Sequence, residues 1–344
     1  MPAYQPNVTP WQITADDFPA GADFAERARF LLRYAVLAPS SHNSQPWKFA
    51  IDEERILAFV DPSRWLQVAD ADQRELHISV GCALENLVVA AEHFEMPMQI
   101  RYFPDPGNAQ LVAAVEPDTE QNLSSQSLDE LFAAIMQRQT NHNPFEANKP
   151  VSEAQFAALS KCCVEPDLTV HFFNDDEVLA RALELVVRAD ALQFADPNWR
   201  RELGQWIGQG AFGTSWLVSK MSQLAVTYLN LNKSTAKKDV EALQSAPVIG
   251  VLVTRDNQRQ SQVQAGQLLE RLWLQATVLG LAIQPMNQVL QIPEVKAEFC
   301  EAIEIGEYSP QIVFRLGYAD RERKQSPRRP VERVLTPMNV SKVT

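Results

Sequence analysis

The sequence contains no CxxC pair, no zinc-ligand spacing, no GxSxG, no HExxH and no Walker lysine. Their absence removes the signatures of dithiol redox, structural zinc, α/β-hydrolase, zincin and P-loop chemistry. Ser40 and Ser41 stand beside His42, but no triad context supports nucleophilic catalysis. The glycines of GQGAFG, Gly208, Gly210 and Gly213, follow no clear strand and do not read as a dinucleotide loop. His93 and His171 show no ligand spacing with Cys, Asp or Glu, so no metal site is expected. The four cysteines, Cys82, Cys162, Cys163 and Cys300, fit a reducing compartment in which thiols are mostly buried filler. No apolar run reaches about 18 residues without a charge, and the N-terminus lacks a basic region followed by an apolar one. A cytoplasmic protein with neither signal peptide nor membrane partner is expected. Positive charge is scarce: 31 Lys and Arg face 43 Asp and Glu, for a net charge of −12. Nucleic acid is therefore not an expected partner.

What remains is ordinary globular composition, 46% hydrophobic and 22% charged over 344 residues. That length suits two domains or one duplicated unit. A helix is predicted from Asp23, with Glu26 placed as in a capping box and the apolar spacing running to Pro39. Strands are predicted at 47–51, 56–60, 99–103, 111–115, 168–173, 247–254 and 311–316. Helices are predicted near 76–94, 128–137, 153–162, 176–194, 199–206, 215–230 and 266–280. The mixture implies an α/β or α+β protein.

An internal echo bears on organisation. GCALENLVVAA from Gly81 and GQLLERLWLQA from Gly266 share Gly81/Gly266, Leu84/Leu269, Glu85/Glu270, Leu87/Leu272 and Ala91/Ala276 at one offset. That offset is close to half the chain, which favours duplication and a chain resembling a covalently fused dimer. The polar stretch 116–128 places the boundary, giving halves 1–125 and 126–344. A segment at about 207–245 has no counterpart in the first half, and an insertion of that size is more often functional than idle.

Three segments carry candidate chemistry. AVLAPSSHNSQPW (35–47) follows a helix that Pro39 stops. Its short polar side chains and the amide of Gln45 read either as a capped helix-to-strand turn or as a loop for a planar polar heterocycle. In MQRQTNHNPF (136–145), Arg138, Thr140 and His142 alternate, so in extended chain they point one way. A cation, a hydroxyl and an imidazole then suit a phosphate, unless the segment is a solvated helix end. From Arg321 to Arg333 six basic residues face only Glu322 and Glu332, which reads as a solvated tail or an anion site.

PSSHNSQPW, RQTNHNPF, LGLAIQPMNQ and GYADRERKQSPRRPVE together resemble the nitroreductase-like FMN-dependent oxidoreductases. RELHISVGCALENLVVAA is similar to their Acg-like branch, in which two nitroreductase-type halves are fused. The resemblance spans roughly 25–145 and 245–335. It implies an α+β nitroreductase-like fold, an internal pseudo-dimer with a lid-like insertion, and FMN as cofactor with NAD(P)H as electron donor. The acceptor would be a nitroaromatic- or quinone-like small molecule, with hydride carried by the flavin and no side chain needed as acid or base. Since the dimer interface would be internal, a monomer or weak homodimer is implied. The alternative is a flavin-sequestering protein with a lid and little reductase activity.

By resemblance, Arg138 and Thr140 would meet the phosphate and ribityl side, and Arg328 or Arg329 would close on the phosphate. Pro39, Ser40, Ser41, Asn43 and Gln45 would flank the isoalloxazine from the other half, and Gln284, Pro285 and Met286 would approach its outer edge. His142 stands where the family has Arg or Lys, and a histidine stabilises an anionic reduced flavin only when protonated. PSSxNxQPW occurs only in the first half, and RQTNHNPF and RRP only in the second. One complete site can be assembled, which implies one FMN per chain. His77, at the start of an apolar helix, reads as a structural histidine.

Overall fold

The computed structural model describes residues 7–118, 126–213, 222, 226–227, 245–321 and 325–337. Helix α1 (Phe24–Ala35) begins where the sequence places it, with the Asp23 carboxylate accepting the Glu26 N–H at 2.9 Å. The first sheet then forms from β1 (Trp47–Asp52), β2 (Arg55–Val60), β3 (Met98–Tyr102) and β4 (Leu111–Pro117). Helix α2 (Arg74–His93) connects β2 to β3. After α3 (Gln126–Ile135) and α4 (Glu153–Ser160), a second sheet is built from β5 (Leu168–Phe173), β6 (Val248–Thr254), β7 (Ala282–Pro285) and β8 (Ser309–Gly317). Helices α5 (Asp176–Ala195) and α6 (Pro197–Gly208) follow β5, and α7 (Arg259–Val278) connects β6 to β7. Helices α8 (Gln288–Gln291) and α9 (Pro293–Ala302) precede β8, and α10 (Val331–Val334) ends the described chain.

Both sheets are antiparallel and both have the order first-second-fourth-third. In each, a 20-residue helix leaves the second strand and returns to the third. The two echoed segments are therefore equivalent helices, α2 and α7, and they pack against one another. The echo glycines are what allows it. A Cβ on Gly81 would run into the carbonyl of Val263 and stand 2.9 Å from Gly266 Cα. One on Gly266 would run into the carbonyl of Ile78, so both backbones approach closer than any side chain permits.

The main buried cluster crosses between the halves, taking in Leu31, Phe49 and Leu84 of one and Leu272, Ile283 and Phe314 of the other. A smaller cluster lies between α5, α8, α9 and the other face of β6 and β8. The chain also crosses back at its end. Trp11 Nε1 donates to Ser326 O at 2.8 Å, and Thr336 N donates to Phe49 O at 2.8 Å, laying α10 along β1.

Several elements differ from the sequence expectation, and α8, α9 and α10 are not among the predicted helices. Helix α7 starts at Arg259, seven residues before the predicted 266: its first turns are mostly polar in sequence, yet they bury Val263, Ala265 and the amide of Gln262. That amide donates to Asn257 O at 3.1 Å, so the polar letters conceal a buried face. Strand β7 is only four residues long and too short to show a period. The predicted helix 215–230 and most of the 207–245 insertion lie outside the described residues. No described helix is long and apolar enough to cross a membrane.

Candidate functional site

A cavity of about 970 Å³, within the range of small-molecule and cofactor sites, lies at the ends of α2 and α7. Its lining draws on the 39–43 loop, on 140–142, on 284–291 and on 325–328, segments well separated along the chain. Ile78, Leu269 and Trp273, side chains of α2 and α7, add apolar surface.

The loop after α1 is held in an unusual shape. His42, Asn43 and Gln45 take left-handed φ angles of 50°, 50° and 52°. Backbone of that kind costs of order 1 kcal/mol or more per residue and persists only where its surroundings fix it. Here Gln45 N donates to Ser40 Oγ at 2.9 Å, and Asn43 N donates to Ser40 O at 2.9 Å. The C-terminal segment supplies the rest. Asn43 Nδ2 donates to Pro327 O at 2.9 Å, Arg328 Nη1 donates to Asn43 Oδ1 at 3.0 Å, and Arg329 N donates to Gln45 Oε1 at 2.6 Å. Two motifs from opposite ends of the chain thus form one wall.

Behind that wall lies a buried charge cluster. Arg328 is 5% exposed and spends Nε and Nη2 on Leu37 O at 3.2 and 3.1 Å. Burial pushes its pKa down to about 9, with Arg138 acting the same way and Glu270 opposing. Arg138 Nε stands 3.0 Å from Glu270 Oε1, and its guanidinium lies over Trp273 at 4.8 Å. Burial raises Glu270 to about 7 against the pull of both arginines. Two guanidinium groups and one carboxyl leave this cluster with surplus positive charge at neutral pH.

On the far side, Thr140 bridges Ile283 of β7 and Asn141 N donates to Ile283 O at 3.2 Å. Arg315 Nε donates to Gln284 Oε1 at 2.6 Å, which turns the amide nitrogen toward His142 Nδ1 at 2.9 Å. His142 Nδ1 so placed accepts a hydrogen bond, as the neutral imidazole does.

A third wall carries a buried Arg74–Glu75 ion pair whose carboxylate side lines the cavity. Glu75, 2% exposed at the start of α2, accepts from Arg74 Nη2 at 3.1 Å, from Gln291 Nε2 at 2.7 Å and from Ser41 Oγ. Asp70 caps the same helix, accepting the N–H groups of Glu75 and Leu76 at 2.8 Å each. Burial, with the Glu75 charge second, holds the Asp70 carboxyl far above the usual carboxylate range. Trp199, Ala211, Phe212 and Gly213 complete the lining near His42. Helix α6 reaches that position by packing Trp199 and Trp206 with Leu66 and Ala69 of the first half. Glu202 fastens it, accepting the N–H of Val68 at 3.1 Å and of Ala69 at 2.9 Å.

Of the residues singled out in the sequence, Pro39, Ser40, Ser41, Asn43, Thr140, His142, Gln284, Pro285 and Arg328 line this cavity. Four do not. Gln45 and Arg329 hold the loop from behind, and Arg138 sits under the floor against Glu270. Met286, 1% exposed, belongs to the core beside α5 and α9. Sequence reasoning gives no sign of Glu75, Gln291, Trp199 or Phe212 at the site, because they come from separate places and form no local pattern, whereas His42 lies inside PSSHNSQPW and is given no binding role there. His77 is buried and its Nδ1 lies 2.7 Å from Gln73 O, a structural position. Among the described residues no group of three or more His, Cys, Asp or Glu side chains could hold a metal ion.

The antiparallel α+β halves, joined by packed central helices with a cavity at their junction, define a class that sequence comparison makes specific. Residues 95–318 match the nitroreductase family, and the chain belongs to that family. It is 28% identical over 302 residues to a putative NAD(P)H nitroreductase of Mycobacterium tuberculosis, covering 86% of both chains. The putative NAD(P)H nitroreductase acg of the same organism is 26% identical over 318 residues, covering 88% of this chain and 93% of the relative. Among solved structures, a nitroreductase with bound FMN from Desulfitobacterium hafniense aligns with a TM-score of 0.40 and 15% identity. That alignment covers 61% of this chain and 98% of the other.

Proposed function

We propose that this chain is an FMN-dependent NAD(P)H oxidoreductase that binds one FMN in the cavity between its halves and reduces a nitroaromatic- or quinone-like acceptor. The observation that carries this reading is the meeting of three distant segments around one cavity backed by surplus buried positive charge. The residues present fit the cofactor. Trp273, Leu269 and Ile78 offer a flat apolar surface for a ring system, and Ser40, Asn43 and Thr140 offer donors and acceptors at its edge. Arg328, with Arg138 behind it, suits a phosphate. When bound, FMN takes a hydride from reduced nicotinamide and passes electrons to the acceptor. The chain's own task is to bind, orient and exclude water.

Two halves, 1–125 and 126–344, acting as a fused dimer also account for a single cofactor. The echo makes Glu85 the counterpart of Glu270. Arg271 donates to Glu85 at 2.7 and 3.0 Å with Glu165 beside it, so two carboxylates face one guanidinium. That position would repel a phosphate.

A second reading is favoured by the placement of Trp199 and Phe212 on the cavity lining: a flavin-sequestering protein whose cover bars nicotinamide. Anaerobic addition of NADPH or NADH to FMN-loaded protein separates the two. Bleaching of the flavin absorbance at a rate useful for turnover supports the reductase. Bleaching only by dithionite supports sequestration, and a protein that takes up no FMN contradicts both.

A further inference from the structure

The cavity is electrically lopsided, and one of its polar groups lacks a partner. Arg328 marks the cationic end. At the other end stands Glu75, its buried carboxylate paired with Arg74 on one oxygen and accepting the hydroxyl of Ser41, a lining residue, on the other. Asp190 lines the same region, and Gln193 and Gln291 supply amides. His42 lies between, its ring centroid 6.3 Å from those of both Trp199 and Phe212. Its Nδ1 is shut off from solvent and has no hydrogen-bond partner. Burial lowers the pKa of this imidazole, with Glu75 opposing, which leaves a neutral ring able to donate from one nitrogen and accept at the other. A ligand entering the cavity can supply the partner that this buried atom lacks. The left-handed φ of His42, a conformation a non-glycine residue rarely holds, is what sets the ring against that wall.

We propose that His42, Glu75, Trp199 and Phe212 form the acceptor subsite, and that it selects planar aromatic acceptors that are cationic or neutral over anionic ones. The proposal rests on the flavoenzyme reading above and names the substrate class of the same cavity. The aromatic side chains supply stacking surface, His42 supplies one hydrogen bond, and Glu75 supplies the charge discrimination. A buried carboxylate interacts with a ligand charge far more strongly than a solvated one, because little water screens it. An anionic acceptor would also have to leave water to face it, whereas a cationic one recovers that cost by pairing.

The test uses three acceptors of one reducible group and one ring: 4-nitrobenzyltrimethylammonium, 4-nitrobenzyl alcohol and 4-nitrobenzoate. Dissociation constants are read by tryptophan fluorescence quenching with oxidised, FMN-loaded protein, and kcat/KM is then measured for each. The expected ranking is cation, then alcohol, then carboxylate, with about tenfold or more between the extremes in both readouts. Glu75→Gln should compress the spread to within about threefold, and His42→Ala should weaken all three acceptors without changing their order. Flavin content and thermal melting of each variant show whether it folds. Should Glu75→Gln fail to fold, the wild-type ranking of the three acceptors decides the matter. Equal affinity for the three acceptors, or preference for the carboxylate, overturns the proposal. A chain that retains no flavin contradicts the earlier reading instead. The quenching series on flavin-free protein then gives the same ranking or overturns the subsite.

Discussion

Arg328 and Arg138 show how differently two arginines of one cluster can be employed. Arg328 lines the cavity and pairs with neutral oxygens of Leu37 and Asn43, whereas Arg138 faces Glu270 beneath the floor. Arg328→Ala should therefore raise the dissociation constant for FMN strongly, at a cost on the order of 2–3 kcal/mol for a charge-assisted bond, measured by flavin fluorescence titration. Arg138→Ala should act on both fold and cofactor, because it leaves Glu270 buried and unpaired. A lowered melting temperature in the flavin-free protein is the expected signature. Glu270 gives a further residue-scale test. Its folded pKa, about 7, lies above the ordinary 4.5. Between those values the folded state binds more protons than the unfolded state, so this group's contribution is full below pH 4.5 and is lost as pH rises through 7. Glu270→Gln removes that titration. Urea unfolding of the flavin-free pair should show the variant gaining on the wild type by up to about 3 kcal/mol between pH 4.5 and 8. A difference independent of pH would mean Glu270 is ionised throughout.

At the scale of elements, α2 and α7 carry the architecture. Their contact depends on Gly81 and Gly266 standing face to face, each blocking a methyl group on the other's side. Gly81→Ala or Gly266→Ala should each destabilise the chain by about 1–3 kcal/mol through overpacking, in chemical denaturation. The double variant should cost less than the sum, because helices parted by one methyl have room for the other. This pairing was legible in the sequence as an echo, since two helices with glycine at the same place can meet through it. The strands were legible too, as short apolar runs between turns, and β5 falls at the predicted 168–173. The start of α7 was not, because its buried Gln262, whose amide nitrogen donates locally to Asn257 O, breaks the apolar period. Among site residues, those in contiguous motifs such as Pro39–Asn43 could be read. Glu75, Gln291 and Trp199 could not, because only the tertiary fold brings α2, α8 and α6 to one cavity.

For the whole molecule, the proposed fused-dimer reading leaves each half free to differ from the other. The loop at 39–45 occurs only in the first half, and the RQTNHNPF and RRP segments only in the second. One junction thus holds excess positive charge around Arg138 and Arg328, and its counterpart holds excess negative charge around Glu85 and Glu165. Such asymmetry is not available to two identical chains, whose two sites must match. Flavin stoichiometry tests this account most directly: the chain is saturated with FMN, freed of excess by gel filtration, and its flavin absorbance is compared with its protein concentration. The account requires one FMN per chain. A ratio near two would show that the Glu85 position also takes a phosphate, and a ratio near zero would show that the cavity at Arg328 is not a flavin site.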